Sequence, residues 1–381
     1  MLSQKPPAHS ASPSSRSEND LKPVRYAIIG SGMMGHEHIR NIALLAGASV
    51  SAVADPDEGM RLTARDLAGA GCAAFADYRE MLSAAEFDAL LIASPNHTHI
   101  DVLSDVMRLD KPILVEKPLC TTLADCRKVL AMQEARSAPL WVAMEYRYMP
   151  PVQRLLKELR DGTAGNLKMI SIREHRFPFL SKVGDWNRFN SKTGGTLVEK
   201  CCHFFDLMRL IAESEPVRVY ASGGVDVNFL DEEYPEGRPD ILDNAFVVVD
   251  FANGVRAMLD LCMFAEGSYW QEIISATGDR ARVDAFIPGP SRFSPDGRER
   301  HSEIAISPRA TKREIREEVE VDEAVLAAGD HHGSTYFQHA KFIDLVRHGG
   351  VPEVSLDDGL KAVMIGAAAE ESARTHRAVE F

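Results

Sequence analysis

Val24-Arg25-Tyr26-Ala27-Ile28-Ile29-Gly30-Ser31-Gly32-Met33-Met34-Gly35 is the stretch on which the fold turns. Val24–Ile29 is a short apolar run rather than a clean alternation, which suits a strand buried on both faces of a parallel sheet. The glycines that follow have the spacing G-x-G-x-x-G and open a helical pattern over His36–Leu45. Gly30 permits a tight turn, Gly32 lets the backbone approach a pyrophosphate, and Gly35 allows close helix–strand packing. Met33 and Met34 fill the loop at the helix N-terminus, where unpaired N–H groups and the positive dipole end favour an anion. Asp55 lies 20 residues beyond Gly35, at the end of the next strand candidate, Ser49–Ala54. A carboxylate there accepts hydrogen bonds from adenosine ribose hydroxyls and repels the extra phosphate of NADP. Strand, glycines, helix and acid in this order favour an NAD site over a simple turn before Pro56.

Working outward, the alternation continues. Ala89–Ala93, Ile113–Val115 and Leu140–Ala143 read as further strands, and Met60–Leu67, Tyr78–Ser83, Ile100–Leu109 and Leu123–Glu134 as helices. Strand–helix alternation at this spacing implies right-handed crossovers and a doubly wound parallel sheet, a Rossmann domain over residues 22–150. After Pro150-Pro151 the texture changes. A helix over Val152–Arg160 is followed by longer strand candidates, Lys168–Glu174, Val217–Gly223, Asn244–Phe251, Val255–Leu261 and Glu272–Thr277. Asn253-Gly254 suits a hairpin turn between two of them. Residues 151–381 are therefore expected to form a substrate-binding and oligomerisation α/β domain with an open, largely antiparallel sheet, ending in helices over Thr335–Arg347 and Leu356–His376. Residues 1–21, rich in Ser, Pro and Ala, read as a flexible tail.

Composition bounds the function classes. A net charge of −13 argues against nucleic acid, which needs a basic face. No run approaches the about 20 apolar residues of a membrane span. The six cysteines have no C-x-x-C spacing and a chain of this size needs no disulfide staples, which points to a reducing cytoplasm and to no metal. An exposed antiparallel sheet needs cover, so a homodimer or homotetramer is expected.

Two further motifs carry the chemistry. Ser94-Pro95-Asn96-His97-Thr98-His99 follows the strand Ala89–Ala93, and Glu116-Lys117-Pro118 follows Ile113–Val115. With the glycine loop and the C-terminal Phe342-Ile343-Asp344 and Ser355-Leu356-Asp357-Asp358-Gly359 segments, the chain from Val24 to Phe381 resembles the Gfo/Idh/MocA oxidoreductases. The resemblance implies that Ser94, Pro95, Asn96, His99, Glu116 and Lys117 lie on the cofactor side, with Lys117 beside the nicotinamide and the reacting hydroxyl. A lysine there can polarise or accept the hydroxyl proton. Gly194-Gly195-Thr196-Leu197-Val198-Glu199-Lys200-Cys201-Cys202-His203 resembles the family's second motif, with Glu199 where an Asp is usual and Cys201 where a glycine is usual. At i and i+4 on one helix, Glu199 and His203 would share a face.

Arg173, His175, Arg176, Lys182, Arg188 and Lys192 fall within 20 residues, interleaved with Phe177, Phe179 and Trp186. They suit a pocket for an anionic sugar, or equally a solvated strand edge. Tyr146, Arg147 and Lys200 are further candidates at the same edge, Tyr146 for catalysis and the other two for substrate. His331 and His332 are placed to reach a neighbour's site. The Glu-Lys-Cys-Cys-His variant with its basic, aromatic segment resembles the NAD-dependent sulfoquinovosidase-type branch. That resemblance implies redox-neutral hydrolysis of an anionic glycoside through transient hydride removal, elimination, water addition and hydride return. The alternatives are an NAD-dependent sugar, inositol or sugar-acid dehydrogenase, and a non-catalytic NAD-binding protein.

Overall fold

Continuous apolar runs in the first third of the chain become strands with no solvent-facing side. The computed structural model describes residues 22–293, Gly297 and 300–381, so the tail expected over 1–21 lies outside the described residues. The order is β1 (Val24–Ile29), α1 (Met33–Ala43), β2 (Ala48–Ala54), α2 (Glu58–Ala68), β3 (Ala73–Phe75), α3 (Tyr78–Ala84), β4 (Ala89–Ile92), α4 (His99–Val106), β5 (Ile113–Glu116), α5 (Leu123–Gln133) and β6 (Leu140–Ala143). These strands form one parallel sheet in the order β3-β2-β1-β4-β5-β6. Every residue of β4, β5 and β6 is buried, which is why none of them alternates. The strand β3 has no sequence signature, because it is three residues long and two of them are alanines, which carry little strand preference. α1 starts at Met33 rather than His36, so the last part of the glycine loop is already its first turn.

The strand order reverses between β1 and β4, and at such a switch point the loops leaving the strands open a crevice at the carboxyl edge. Gly30, Asp55, Ser94, Lys117 and Glu145 all follow strand ends on that edge.

Beyond it lie α6 (Pro150–Arg160), β7 (Leu167–His175), α7 (Asn190–Thr193), α8 (Thr196–Glu199), α9 (Cys202–Ala212), β8 (Pro216–Gly224), β9 (Asn244–Phe251), β10 (Arg256–Cys262), β11 (Trp270–Gly278), β12 (Ala281–Pro288), β13 (Ser302–Pro308), β14 (Ile315–Val319), α10 (Glu323–Ala327), α11 (Ser334–His348), α12 (Leu356–Thr375) and β15 (Val379–Glu380). The second sheet has the order β14-β13-β12-β11-β7-β10-β9-β8-β15. Among the described strands of this sheet only β7 and β10 pair in parallel, so the sheet is mixed and largely antiparallel. The hairpin between β9 and β10 turns through Gly254 at φ +84°.

One face of this sheet packs Ile170, Ile172, Val247 and Leu259 against Leu155, Phe204, Phe205 and Ala369 of α6, α9 and α12. The opposite face exposes Met169, Tyr220, Phe246, Val248 and Met258. α11 turns back to the first sheet, where Phe342 and Ile343 join the core of β1 and β6. Among the described residues no helix is long and apolar enough to cross a membrane.

Candidate active site

The three glycines of the first motif do different jobs. A Cβ on Gly30, at φ +88°, would lie 2.4 Å from the backbone nitrogen of Ser94, and one on Gly35 would lie 2.5 Å from the carbonyl oxygen of Gly30. Both are forced by chain-on-chain packing. A Cβ on Gly32 would meet nothing within 4 Å, so the middle glycine borders open space at the N-terminus of α1. Asp55 turns its carboxylate back on this loop, accepting from Ser31 N–H at 2.7 Å and Asp57 N–H at 2.9 Å. The Ser31 hydroxyl and the Asn96 amide nitrogen are buried without partners, and Met33 is exposed. An N–H-rich helix end, an open middle glycine, orphaned polar groups and a fixed carboxylate fit a dinucleotide.

Lys117 leaves β5 through a cis Lys117–Pro118 bond, and its Nζ donates to the Glu199 carbonyl oxygen at 3.1 Å. Burial opposes its charge, but Cys202, Glu116, Glu145 and Glu199 around it outweigh that and hold it above the usual lysine range. His203, in the first turn of α9, stacks flat on Tyr146 with ring centres 4.1 Å apart and planes 8° apart. Its Nε2 lies 3.4 Å from Glu145 Oε1, while its Nδ1 is buried with no partner. Burial, with Lys117, Lys200, His331 and Arg176 nearby, pushes His203 well below the ordinary histidine range. Burial and Glu116 lift Glu145 to about 7. The crevice therefore holds a lysine kept charged beside a histidine kept neutral.

Tyr146 is the hub of a second group. Lys200 Nζ donates to its oxygen at 2.5 Å and pairs with Glu174 Oε1 at 2.9 Å, and Arg176 reaches the same Glu174 oxygen at 3.3 Å. The Tyr146 hydroxyl faces Glu272 at 3.4 Å, a carboxyl that burial and Glu174 raise to about 7. At the mouth, Lys182 pairs with Glu199 at 3.1 Å and lies 4.3 Å above the Trp186 ring, whose other neighbour is His97. Glu199 and His203 do not share a regular helical face. α8 ends at Glu199 and α9 begins at Cys202, so Glu199 turns to Lys182 while His203 turns to Tyr146.

Several expected contacts go elsewhere. Arg147 forks onto Asp206 with two bonds of 2.6 Å and also donates to the Glu353 carbonyl. The 3₁₀ turn Glu145–Tyr148 advances about 120° per residue, so Tyr146 and Arg147 cannot face the same way. Arg173 and His175 lie on the open face of the second sheet, where Arg173 is in register opposite Asp260 and the His175 ring lies 3.1 Å from the Asp260 carboxylate. Alternation along β7 gives the core side to Ile170, Ile172 and Glu174. Arg188 is committed to Glu232 at 2.8 Å and covers Phe229. His99 bridges the carbonyls of Ser94 and Pro118, and Glu116 is taken up by His38 at 2.8 Å and the Lys117 N–H at 3.0 Å. Both brace the loops around the crevice rather than facing into it. His331 reaches this chain's own crevice, with its ring 6.1 Å from Tyr146 and its Nδ1 2.6 Å from Glu37. Glu37 and His331 are 294 positions apart, so no local pattern links them.

A doubly wound sheet with this crevice, joined to a mixed sheet that closes over it, defines a two-domain, dinucleotide-dependent enzyme. Residues 24–144 match "Oxidoreductase family, NAD-binding Rossmann fold" and residues 157–381 match "Oxidoreductase family, C-terminal alpha/beta domain". The chain belongs to the Gfo/Idh/MocA oxidoreductase family and is an NAD-dependent enzyme. It is 26% identical to the myo-inositol 2-dehydrogenase of Thermotoga maritima over 94% of this chain and 98% of that protein. It is 32% identical to the rhizopine catabolism protein MocA of Rhizobium meliloti, over 50% of this chain but only 58% of that relative. A levoglucosan dehydrogenase solved with NADH and levoglucosan shares the fold with a TM-score of 0.78 at 20% identity, covering 94% of this chain and 99% of that one.

Proposed function

We propose that this protein is an NAD-dependent dehydrogenase that oxidises a ring hydroxyl of an inositol-like polyol or sugar to a ketone. The observation that carries the reading is the crevice that gathers Lys117, its Nζ on the Glu199 carbonyl, and His203, stacked on Tyr146 with a buried, unpartnered Nδ1; their surroundings favour the ammonium of the first and the neutral imidazole of the second. Two groups pushed apart in this way define a donor and an acceptor. NAD, when bound, supplies the hydride acceptor. The loop Gly30–Gly35 with Met33 and Met34 holds the pyrophosphate, Asp55 the adenosine ribose, and Ser94, Pro95 and Asn96 the nicotinamide side. The hydroxyl proton passes to His203, whose orphaned Nδ1 is the available base while Glu145 lies against its Nε2. Lys117 donates a hydrogen bond to the same oxygen and stabilises the charge developing on it.

The substrate is neutral rather than anionic. Lys182, Lys200 and Arg188 each carry their own carboxylate, and Glu145 and Glu272 add acidic groups at the crevice. Trp186 at the mouth gives a sugar or cyclitol ring a face to stack on. The chain self-associates through the apolar open face of its second sheet.

One observation favours a second reading, the redox-neutral cleavage of a glycoside. The Tyr146 oxygen bonded to Lys200 is a proton-transfer group that simple hydride transfer does not need. The deciding experiment incubates enzyme and NAD with inositols, free sugars and chromogenic glycosides of neutral, uronic and sulfonated sugars. NADH build-up from a free polyol with glycosides untouched supports the dehydrogenase. Aglycone release without NADH replaces it with the second reading, and neither signal sinks both.

A further inference from the structure

Residues 328–333, between α10 and α11, cross the flank of α1, the helix that begins at the glycine loop. The Ala328 carbonyl accepts from Arg40 Nε at 3.1 Å and Asn41 Nδ2 at 3.5 Å. Gly329 passes so close that a Cβ there would lie 2.3 Å from the Glu37 carboxyl carbon. Asp330 N–H points to Glu37 Oε2 at 3.5 Å, and the segment leaves through His332 and Gly333, both at positive φ. This strap is tied to α1 at successive residues, and the side chain it delivers to the crevice is His331. Glu37 Oε1 takes His331 Nδ1 at 2.6 Å and is itself braced by the Thr335 hydroxyl at 3.0 Å. With Nδ1 engaged, Nε2 is the ring nitrogen left for another partner, and no protein atom among the described residues bonds it. The side chain is still 21% exposed, and its ring centre lies 6.1 Å from that of Tyr146.

We propose that His331 is a substrate-recognition residue whose Nε2–H donates to an acceptor oxygen of the substrate beside Tyr146, with Glu37 fixing the ring for that contact. The inference rests on the reading of the Lys117–His203–Tyr146 crevice as the substrate site. The groups around it agree with a standing donor. Burial works against the charge, but Glu37 and then Glu145 overcome both burial and the repulsion of Lys200, lifting His331 to about 9. The imidazole is therefore protonated on both nitrogens at neutral pH. On the neutral substrate of that reading the acceptor oxygen is a ring hydroxyl; a carboxylate acceptor is the outcome that would overturn the neutral assignment.

The test compares wild type, His331→Ala and His331→Gln, all NAD-loaded. Calorimetric binding of inositols, hexoses, aldonates and uronates is measured beside KM, kcat and NAD affinity. For the compounds that wild type binds, His331→Ala weakens binding and raises KM about 10- to 100-fold, the range of one charge-assisted hydrogen bond, with NAD affinity unchanged. His331→Gln keeps a neutral donor. It restores most of the affinity if the acceptor is a hydroxyl and little if it is a carboxylate. Wild-type-like binding by His331→Ala overturns the inference, as does a loss of NAD affinity that matches the loss of substrate affinity. A wild type that binds and oxidises none of the panel overturns the dehydrogenase reading and this inference together. Substrate binding without NADH formation overturns the dehydrogenase alone, because the histidine comparison is still read by calorimetry.

Discussion

His203 and Lys117 share one crevice, yet their surroundings move them in opposite directions, and that opposition sets the expected kinetics. On the proposed mechanism His203→Ala removes the acceptor for the hydroxyl proton and should lower kcat at least about 100-fold. Lys117→Ala should do the same by removing the donor to the developing alkoxide, while NAD affinity, read by fluorescence quenching, survives in both. Because His203 is pushed below its ordinary range, it stays neutral as pH falls past 6.5. The acid limb of kcat should therefore lie below that value, where the imidazole finally takes a proton from solvent. A pH–rate profile with its acid limb at or above the ordinary histidine range would remove His203 from the base role. Asp55→Ala should weaken NAD and narrow the preference over NADP, which cofactor titrations would show. Asp55 also takes one backbone hydrogen bond from the glycine loop, from Ser31 N–H, beside one from Asp57 N–H in its own turn, so the loss of NAD affinity should exceed that of a ribose contact alone.

Between elements, the ties are electrostatic and mostly buried. The Arg147 fork onto Asp206 joins the turn after β6 to α9, with the arginine side chain 10% exposed and the aspartate not at all. Arg147→Met leaves Asp206 as a buried charge without its main partner, and should cost about 3–5 kcal/mol in urea unfolding while KM stays near wild type. A raised KM with unchanged stability would return Arg147 to the substrate. The tie between α1 and the strap has its own pH signature. Glu37 is lowered to about 2, so its contribution is present above the ordinary 4.5 and fades as pH falls from there through about 2. His331 is raised to about 9, so its contribution is complete below the ordinary 6.5 and fades as pH rises through about 9. The stability difference between wild type and Glu37→Gln, measured by thermal unfolding, should accordingly be widest between about pH 4.5 and 6.5 and shrink towards pH 9.

For the whole molecule, the second sheet presents Met169, Tyr220, Phe246, Val248 and Met258 on a face no helix covers among the described residues. Exposed apolar patches of this kind mark association surfaces. Phe246→Glu, at the most exposed of the five side chains, should shift sedimentation from oligomer towards monomer, and a monomeric wild type would contradict the assignment. The same sheet shows where sequence reading stops. Strand runs, the glycine spacing and the positions of Asp55, Lys117 and His203 are local, because each follows from residue type and its distance along the chain. They were enough to place a doubly wound domain and its dinucleotide corner, and to single out Lys117 and His203 as the side chains proposed for the chemistry. The strands β12, β13 and β14 were not legible, since their residues mix charged and apolar types around turns that carry no single signature. Nor was the fate of the basic cluster. Whether His175 or Arg188 reaches a substrate depends on which carboxylate it meets, and Asp260 and Glu232 arrive from distant parts of the chain. The sequence by itself determined the elements, the cofactor corner and the chemical types available. Only the tertiary structure decided which charges cancel, which histidine stays neutral and which histidine a strap delivers beside Tyr146. Burial and partner distance set those outcomes, and both belong to residues brought together in space rather than in order.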